Sequence, residues 1–177
     1  MADAMNDEML HLFALAQQGD WDSVLSQFDK NPKLASQCSR FREASSGRTF
    51  LHEAARSGHD GAARVLISLG AALGASSNDR ELPAAVAKKH EHLELARLLE
   101  LAHETGQRLW EPSPDPDVLP SSSAWNESRA LQSAREMRVA YGGGVIVIPQ
   151  GATYYVDGFG RTLVGWHGTY DPPEGMC

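Results

Sequence analysis

Three shortages narrow the field before any motif is read. Cysteine is nearly missing: Cys38 and Cys177 are too few for a disulfide framework. A reducing compartment is the simpler setting, with a single bridge between the two left open. Long apolar runs are missing too, so no stretch is expected to span a bilayer. The amino-terminal MADAMNDEMLHLF lacks the positive region and apolar run of a secretory signal, and the expected location is cytoplasmic. Lys and Arg are outnumbered 16 to 23 by Asp and Glu, for a formal charge of −7. A nucleic-acid surface needs clustered cations to displace counterions, so nucleic acid is not an expected partner. The length, 177 residues, allows a sizeable core as one domain or one repeat array with an appendage.

Catalytic sets are equally scarce. There is no Gly-x-Ser-x-Gly elbow. Asp115 and Asp117 lie in a proline-rich connection unsuited to paired-carboxylate chemistry, and Cys177 has no evident positioned base. His90, His92 and His103 have no cysteine or aspartate cluster beside them, and residues two apart on a helix do not share a face, so no metal is expected. Gly142-Gly143-Gly144 stands before an expected strand, whereas a phosphate loop precedes a helix, and no Gly-Lys-Ser or Gly-Lys-Thr occurs. Neither a cofactor nor an enzymatic activity is expected.

What the chain does contain is concentrated between Gly47 and Ala71, GRTFLHEAARSGHDGAARVLISLGA. Thr49 can cap a first helix, and small Ala54 and Ala55 admit a close neighbour. Gly58 can end that helix in the left-handed conformation. Val65, Leu66, Ile67 and Leu69, with small Ala62 and Ala63, then fit one buried face plus a crowded edge of a second helix that Gly70 closes. The pattern repeats. Leu12, Ala16 and Gly19 recur as Leu51, Ala55 and Gly58, each 39 positions on. Leu51, Ala54, His59 and Val65 recur as Ala84, Ala87, His92 and Leu98, each 33 on. Glu91 takes the turn-glycine position of the third unit, where a left-handed residue costs about a kilocalorie. Pro83 is placed to open a helix. Residues 31–46 read as a long connection.

Thr49, Phe50, Leu51, His52, Glu53 and Ala54 resemble the T-P-L-H-x-A signature of ankyrin repeats, with Phe50 in place of proline. The resemblance covers about residues 5–101. It implies a mainly α fold, a short stack of three helix pairs, with His52 bonded to backbone around the turns. It also implies protein binding through projecting fingers and a concave helix face. By family position the contacts would be Arg42, Ser45, Arg48, Asn78, Asp79 and Arg80 on the turns, with Phe13, Glu53 and Arg56 on inner helices. A solvated loop or face is the competing reading for each.

The expected organisation is residues 1–105 as the repeat region, 106–123 as a Pro- and Ser-rich linker, and 124–177 as a further helix with a small antiparallel sheet capping the stack. Ala130, Leu131, Ala134, Met137 and Tyr141 place that helix at 126–141. Val145–Ile148, Thr153–Val156 and Arg161–Tyr170 read as strands, with a hairpin at Asp157-Gly158-Phe159-Gly160. Tyr154, Tyr155, Phe159, Trp166 and Tyr170 either build a minor core or face a partner, and Tyr155, Trp166 and His167 join the candidate contacts. Trp166-His167-Gly168-Thr169 resembles the NAD-binding strand motif of ADP-ribosyltransferases. The eight residues after Thr169 are too few for that family's downstream helix, tyrosine motif and catalytic glutamate, which implies a degenerate or merely coincidental match. An inhibitor of a toxin or effector enzyme, presenting carboxylates to a basic active site, is the other alternative.

Overall fold

The computed structural model describes residues 2–105, 115–122, 125, 128–141, 144–165, 169–170 and 172. These residues form a helical amino-terminal part and a β-rich carboxy-terminal part, a mixed α and β architecture with seven helices and seven strands. The helices are α1 (Ala2–Gln17), α2 (Trp21–Lys30), α3 (Pro32–Arg40), α4 (Phe50–Ser57), α5 (Asp60–Leu69), α6 (Pro83–Lys89) and α7 (Leu93–Thr105).

Local chemistry sets most helix ends. Asp20 caps α2 through the Ser23 amide at 3.3 Å, and Thr49 accepts from the His52 amide at the start of α4. Gly58 ends α4 at φ +70°, and His59 Nδ1 caps α5 at 3.0 Å from the Ala62 amide. Pro83 opens α6. Glu91, between α6 and α7, is held at φ +65°, the strained geometry that the missing glycine predicts.

The reading of residues 31–46 as a plain connection is corrected. Asn31 closes α2 with its backbone and caps α3 with its side chain, which accepts from the Leu34 amide at 3.2 Å, while Pro32 supplies the first turn. Leu34, Ala35 and Cys38 then share one buried face of α3. The core runs unbroken from Leu12 and Phe13 through Leu51, Leu66 and Ile67 to Leu95 and Leu99. Phe50 is its aromatic centre, with ring centroids 5.2 Å from Phe13, 5.8 Å from Phe41, 6.2 Å from Phe28 and 6.4 Å from Trp21.

The helix expected at 126–141 is also corrected. Its described residues form two strands, β3 (Arg129–Gln132) and β4 (Met137–Tyr141). Met137 and Tyr141, four apart, share a face in a helix and in a strand alike. Val139 between them is fully buried, which fits the strand. What decides the matter is pairing with later segments, β5 (Gly144–Ile148) and β6 (Thr153–Val156): β4 runs antiparallel to β5, and β3 antiparallel to β6.

Nor is the sheet purely antiparallel. Within the expected linker, β1 (Val118–Leu119) pairs parallel with β4, and β2 (Ser121–Ser122) pairs parallel with β7 (Thr162–Leu163). The extended stretch 118–122 thus contributes to both sheets, whose orders are β1-β4-β5 and β2-β7-β6-β3. Proline favours extended backbone before it, and Pro120 itself accepts a hydrogen bond from the Thr162 amide at 3.2 Å.

The β-rich part docks on the helices, as strands this short require. It does not cover the last helix as a cap would, since Leu93 and Leu101 of α7 stay 57% and 46% exposed. Its contacts are specific instead. Phe159 enters the helical core between the guanidinium groups of Arg64 and Arg161, 5.6 and 5.1 Å from its ring centre. Arg161 donates to Asp157 at 2.9 Å, to the Ala102 carbonyl at 2.6 Å and to Thr105 Oγ1 at 2.7 Å. Asp157 also accepts the Phe159 and Arg161 amides. Arg40 joins α3 to the other parts, donating to the carbonyls of Leu69 and Val118.

Because Asp157 and Arg161 are both buried, removing one partner strands a charge. Arg161→Met is expected to cost about 3 kcal/mol. Urea unfolding with hydrogen exchange should show this loss and faster exchange at 118–165 than at 50–69; an unchanged midpoint would contradict the docking role.

Candidate functional site

The expected turn residues come together on two successive loops, 41–49 and 71–81. Arg42 and Thr49 face each other in an antiparallel bridge at the base of the first loop. Glu43 organises its tip, accepting from Ser45 Oγ at 3.1 Å and Ser46 Oγ at 2.6 Å, while its backbone bonds to Arg48 and Gly47. Gly47 sits at φ +71°, where a β-carbon would lie 2.6 Å from Asn78 Oδ1 and 2.8 Å from Asn78 N. In the second loop Ser77 bonds to Arg80 and Glu81, and Arg80 is itself left-handed at φ +63°.

The two loops are fastened side by side. Asn78 donates its amide N–H to the Ser46 carbonyl at 2.8 Å and its side-chain NH₂ to the Ser45 carbonyl at 3.0 Å. Arg42 donates to the Ser76 carbonyl. The result is a ridge with Arg42, Ser45, Asn78, Asp79 and Arg80 exposed along it. Arg48 is half-buried beside them.

His52 anchors this ridge from below. The Thr49 amide can only donate, and it points at Nδ1 at 3.1 Å, so the ring's proton lies on Nε2, which donates to the Glu81 carbonyl at 2.9 Å. One ring therefore ties the start of α4 to the end of the second loop. Burial, the largest influence, pulls the His52 pKa below 6.5; Arg48 and Arg42 act the same way, while the Glu81 carbonyl and Glu53 oppose them. His92 plays a related part, with its Nε2 3.1 Å from the Arg56 carbonyl and its ring packed where a side chain on Gly58 would stand.

The inner-helix candidates divide. Phe13 is 1% exposed and packs against Phe41 and Phe50, so it belongs to the core and offers nothing to a partner. Glu53 is equally buried, its carboxylate 2.9 Å from Arg56 Nε and 3.6 Å from Arg48 Nη1. Arg56 remains half-exposed and also donates to the Gln17 carbonyl, linking α4 to the end of α1. Glu53 thus positions two arginines and is not itself presented. Glu43, which arranges the first loop, carried no motif, and Arg40, which with Arg42 and Arg48 reads in sequence as a basic fingertip, instead takes a junction role that depends on carbonyls distant in sequence.

In the carboxy-terminal part, Tyr155 is half-buried against Trp125, with centroids 5.8 Å apart. Tyr154 and Tyr170 pack on the small core of Val139, Ile148 and Val164. Trp166 and His167, with Gly168 of the same motif, lie outside the described residues; its last residue, Thr169, is exposed and accepts the Gly165 amide at 2.6 Å. Among the described residues no group of three His, Cys, Asp or Glu side chains could hold a metal ion, and no helix is long and apolar enough to cross a membrane. No protein-family model matches the chain, and no curated protein matches it.

A histidine kept neutral by burial penalises folding once the unfolded chain can bind a proton that the folded chain refuses. Stability from His52 is therefore full above pH 6.5 and falls as pH drops from 6.5 toward its lowered folded value. His52→Gln should flatten the loss of chemical stability between about pH 7 and pH 5 relative to wild type; parallel curves for the two proteins would contradict this. At Gly47, where both φ and space forbid a side chain, alanine should cost more than about 1 kcal/mol and speed amide exchange at Gly47 and Asn78. Unaltered exchange at both amides would refute the fastening of the loops.

Proposed function

We propose that the chain is a non-enzymatic protein-binding module of the ankyrin-repeat type, with the helix pairs α1–α2, α4–α5 and α6–α7 as its repeats and the ridge of fastened loops as its recognition surface. The observation that carries this reading is the hydrogen bonding of Asn78 to the Ser45 and Ser46 carbonyls, which holds the backbones of the two loops, and so the points from which their polar side chains project, in one arrangement before any partner arrives. Preorganised side chains lose less entropy on binding than those on free loops. Half-exposed Arg48 and Arg56, set by the buried carboxylate of Glu53, extend the surface onto α4. Arginines in fixed geometry suit carboxylates and backbone carbonyls of a partner.

Asp79 and Arg80 make a clean test, since their side chains form no hydrogen bond or ion pair in the described fold. The double variant Asp79→Arg/Arg80→Asn keeps a residue tolerant of positive φ at position 80 and should leave thermal stability within a few degrees of wild type. In affinity capture from native lysate with quantitative mass spectrometry, a partner held by wild type should drop by about tenfold with this variant. Equal recovery of every captured protein would remove the ridge as the recognition surface.

A further inference from the structure

A second surface lies away from these loops in the chain, where α1, α2 and α3 meet. They enclose an open groove of about 610 Å³. Leu12 and Leu34, each 3% exposed, and half-buried Leu15 make its floor, while Asp7 and Glu8 of α1 and Gln27 of α2 stand exposed on its rim. The lining residues of α1 run from position 7 to position 15. At about 1.5 Å per residue this is about 12 Å, the length of roughly two helical turns.

Charge identifies what fits. Asp7 and Glu8 are the acidic lining residues, His11 lines the groove beside them, and no Lys or Arg does among the described residues; Lys30 and Lys33 stand exposed on α2 and α3 outside the lining. An occupant must therefore bring apolar side chains for Leu12, Leu15 and Leu34 and cations for the rim, and a two-turn amphipathic helix with Lys or Arg beside its apolar stripe supplies both. A second copy would set like charges against each other, which disfavours it. We propose that this groove binds a basic amphipathic helix of a partner protein. The site is independent of the loop ridge, and either can fail without the other.

The test uses the full chain and a fluorescent peptide of about 16 residues with leucines at helical spacing i, i+3, i+4 and i+7 and lysines on the flanks. A second peptide has the same composition with the leucines scattered round the helix. Fluorescence anisotropy should show the amphipathic peptide binding about tenfold more tightly than the scrambled one. Asp7→Lys/Glu8→Lys should weaken it by about tenfold, while Glu94→Lys/Glu104→Lys, an equal charge change on α7 outside the groove, should change it less than about twofold. Circular dichroism checks that both variants are folded. Amide exchange should slow at 7–15 and 23–34 on binding. No binding, equal affinity for the two peptides, or equal loss in the two charge variants would each overturn the proposal, as would self-association of the free chain blocked by Asp7→Lys/Glu8→Lys.

Discussion

The packing of the helical part depends most heavily on the ring of Phe50. It touches Phe13 of α1, Trp21 and Phe28 of α2 and Phe41 at the end of α3, so a single side chain joins the first helix pair, the inserted helix and the central pair. Four of the five phenylalanines of the chain stand in this cluster. Edge and tilted contacts of this kind add about 0.5–1.5 kcal/mol each beyond the area they bury. A proline at position 50 would preset the first helical turn, but it could not fill the space that α3 opens between the first pair and the second.

With the core fixed, two polar devices determine what the surface looks like. His52 sets the loop ridge, because its two nitrogens reach the start of α4 and the Glu81 carbonyl together. Asp157 and Arg161 set the β-rich part, because the guanidinium satisfies the carbonyl of Ala102 and the hydroxyl of Thr105 near the end of α7. Carbonyls in the last turn of a helix have no partner within it, and a buried cation is well matched to them. Each device makes buried backbone atoms the reason why one side chain cannot be exchanged.

The parts legible in the sequence are those whose determinants are local. Thr49, Gly58, Gly70 and Pro83 act within a turn of where they stand, and each behaves as its residue type dictates. Asn31-Pro32 carried an equally local signal, a cap followed by a first-turn proline, that marks α3 in retrospect. The strands β3 and β4 were not legible, because alanine, leucine and methionine favour helix locally and the pairing partners that override them lie up to 27 positions downstream, as in Arg129 with Val156. The parallel pairings of 118–122 are non-local for the same reason. Among the candidate contact residues, the loop positions follow from the family resemblance, and the structure exposes Arg42, Ser45, Asn78, Asp79 and Arg80 among them. The burial of Phe13 and Glu53 does not follow from it, since it depends on what α3 and the two arginines bring to them.

The most direct measurement of the binding-module account is site-specific photo-crosslinking in native lysate, with a photoreactive residue at Ser45 or Arg80 on the ridge and, as reference, at Arg97 on the exposed side of α7. The account predicts one protein joined to the chain from both ridge positions and not from Arg97. Crosslinks of equal yield and identity from all three positions, or none from the ridge, would contradict it.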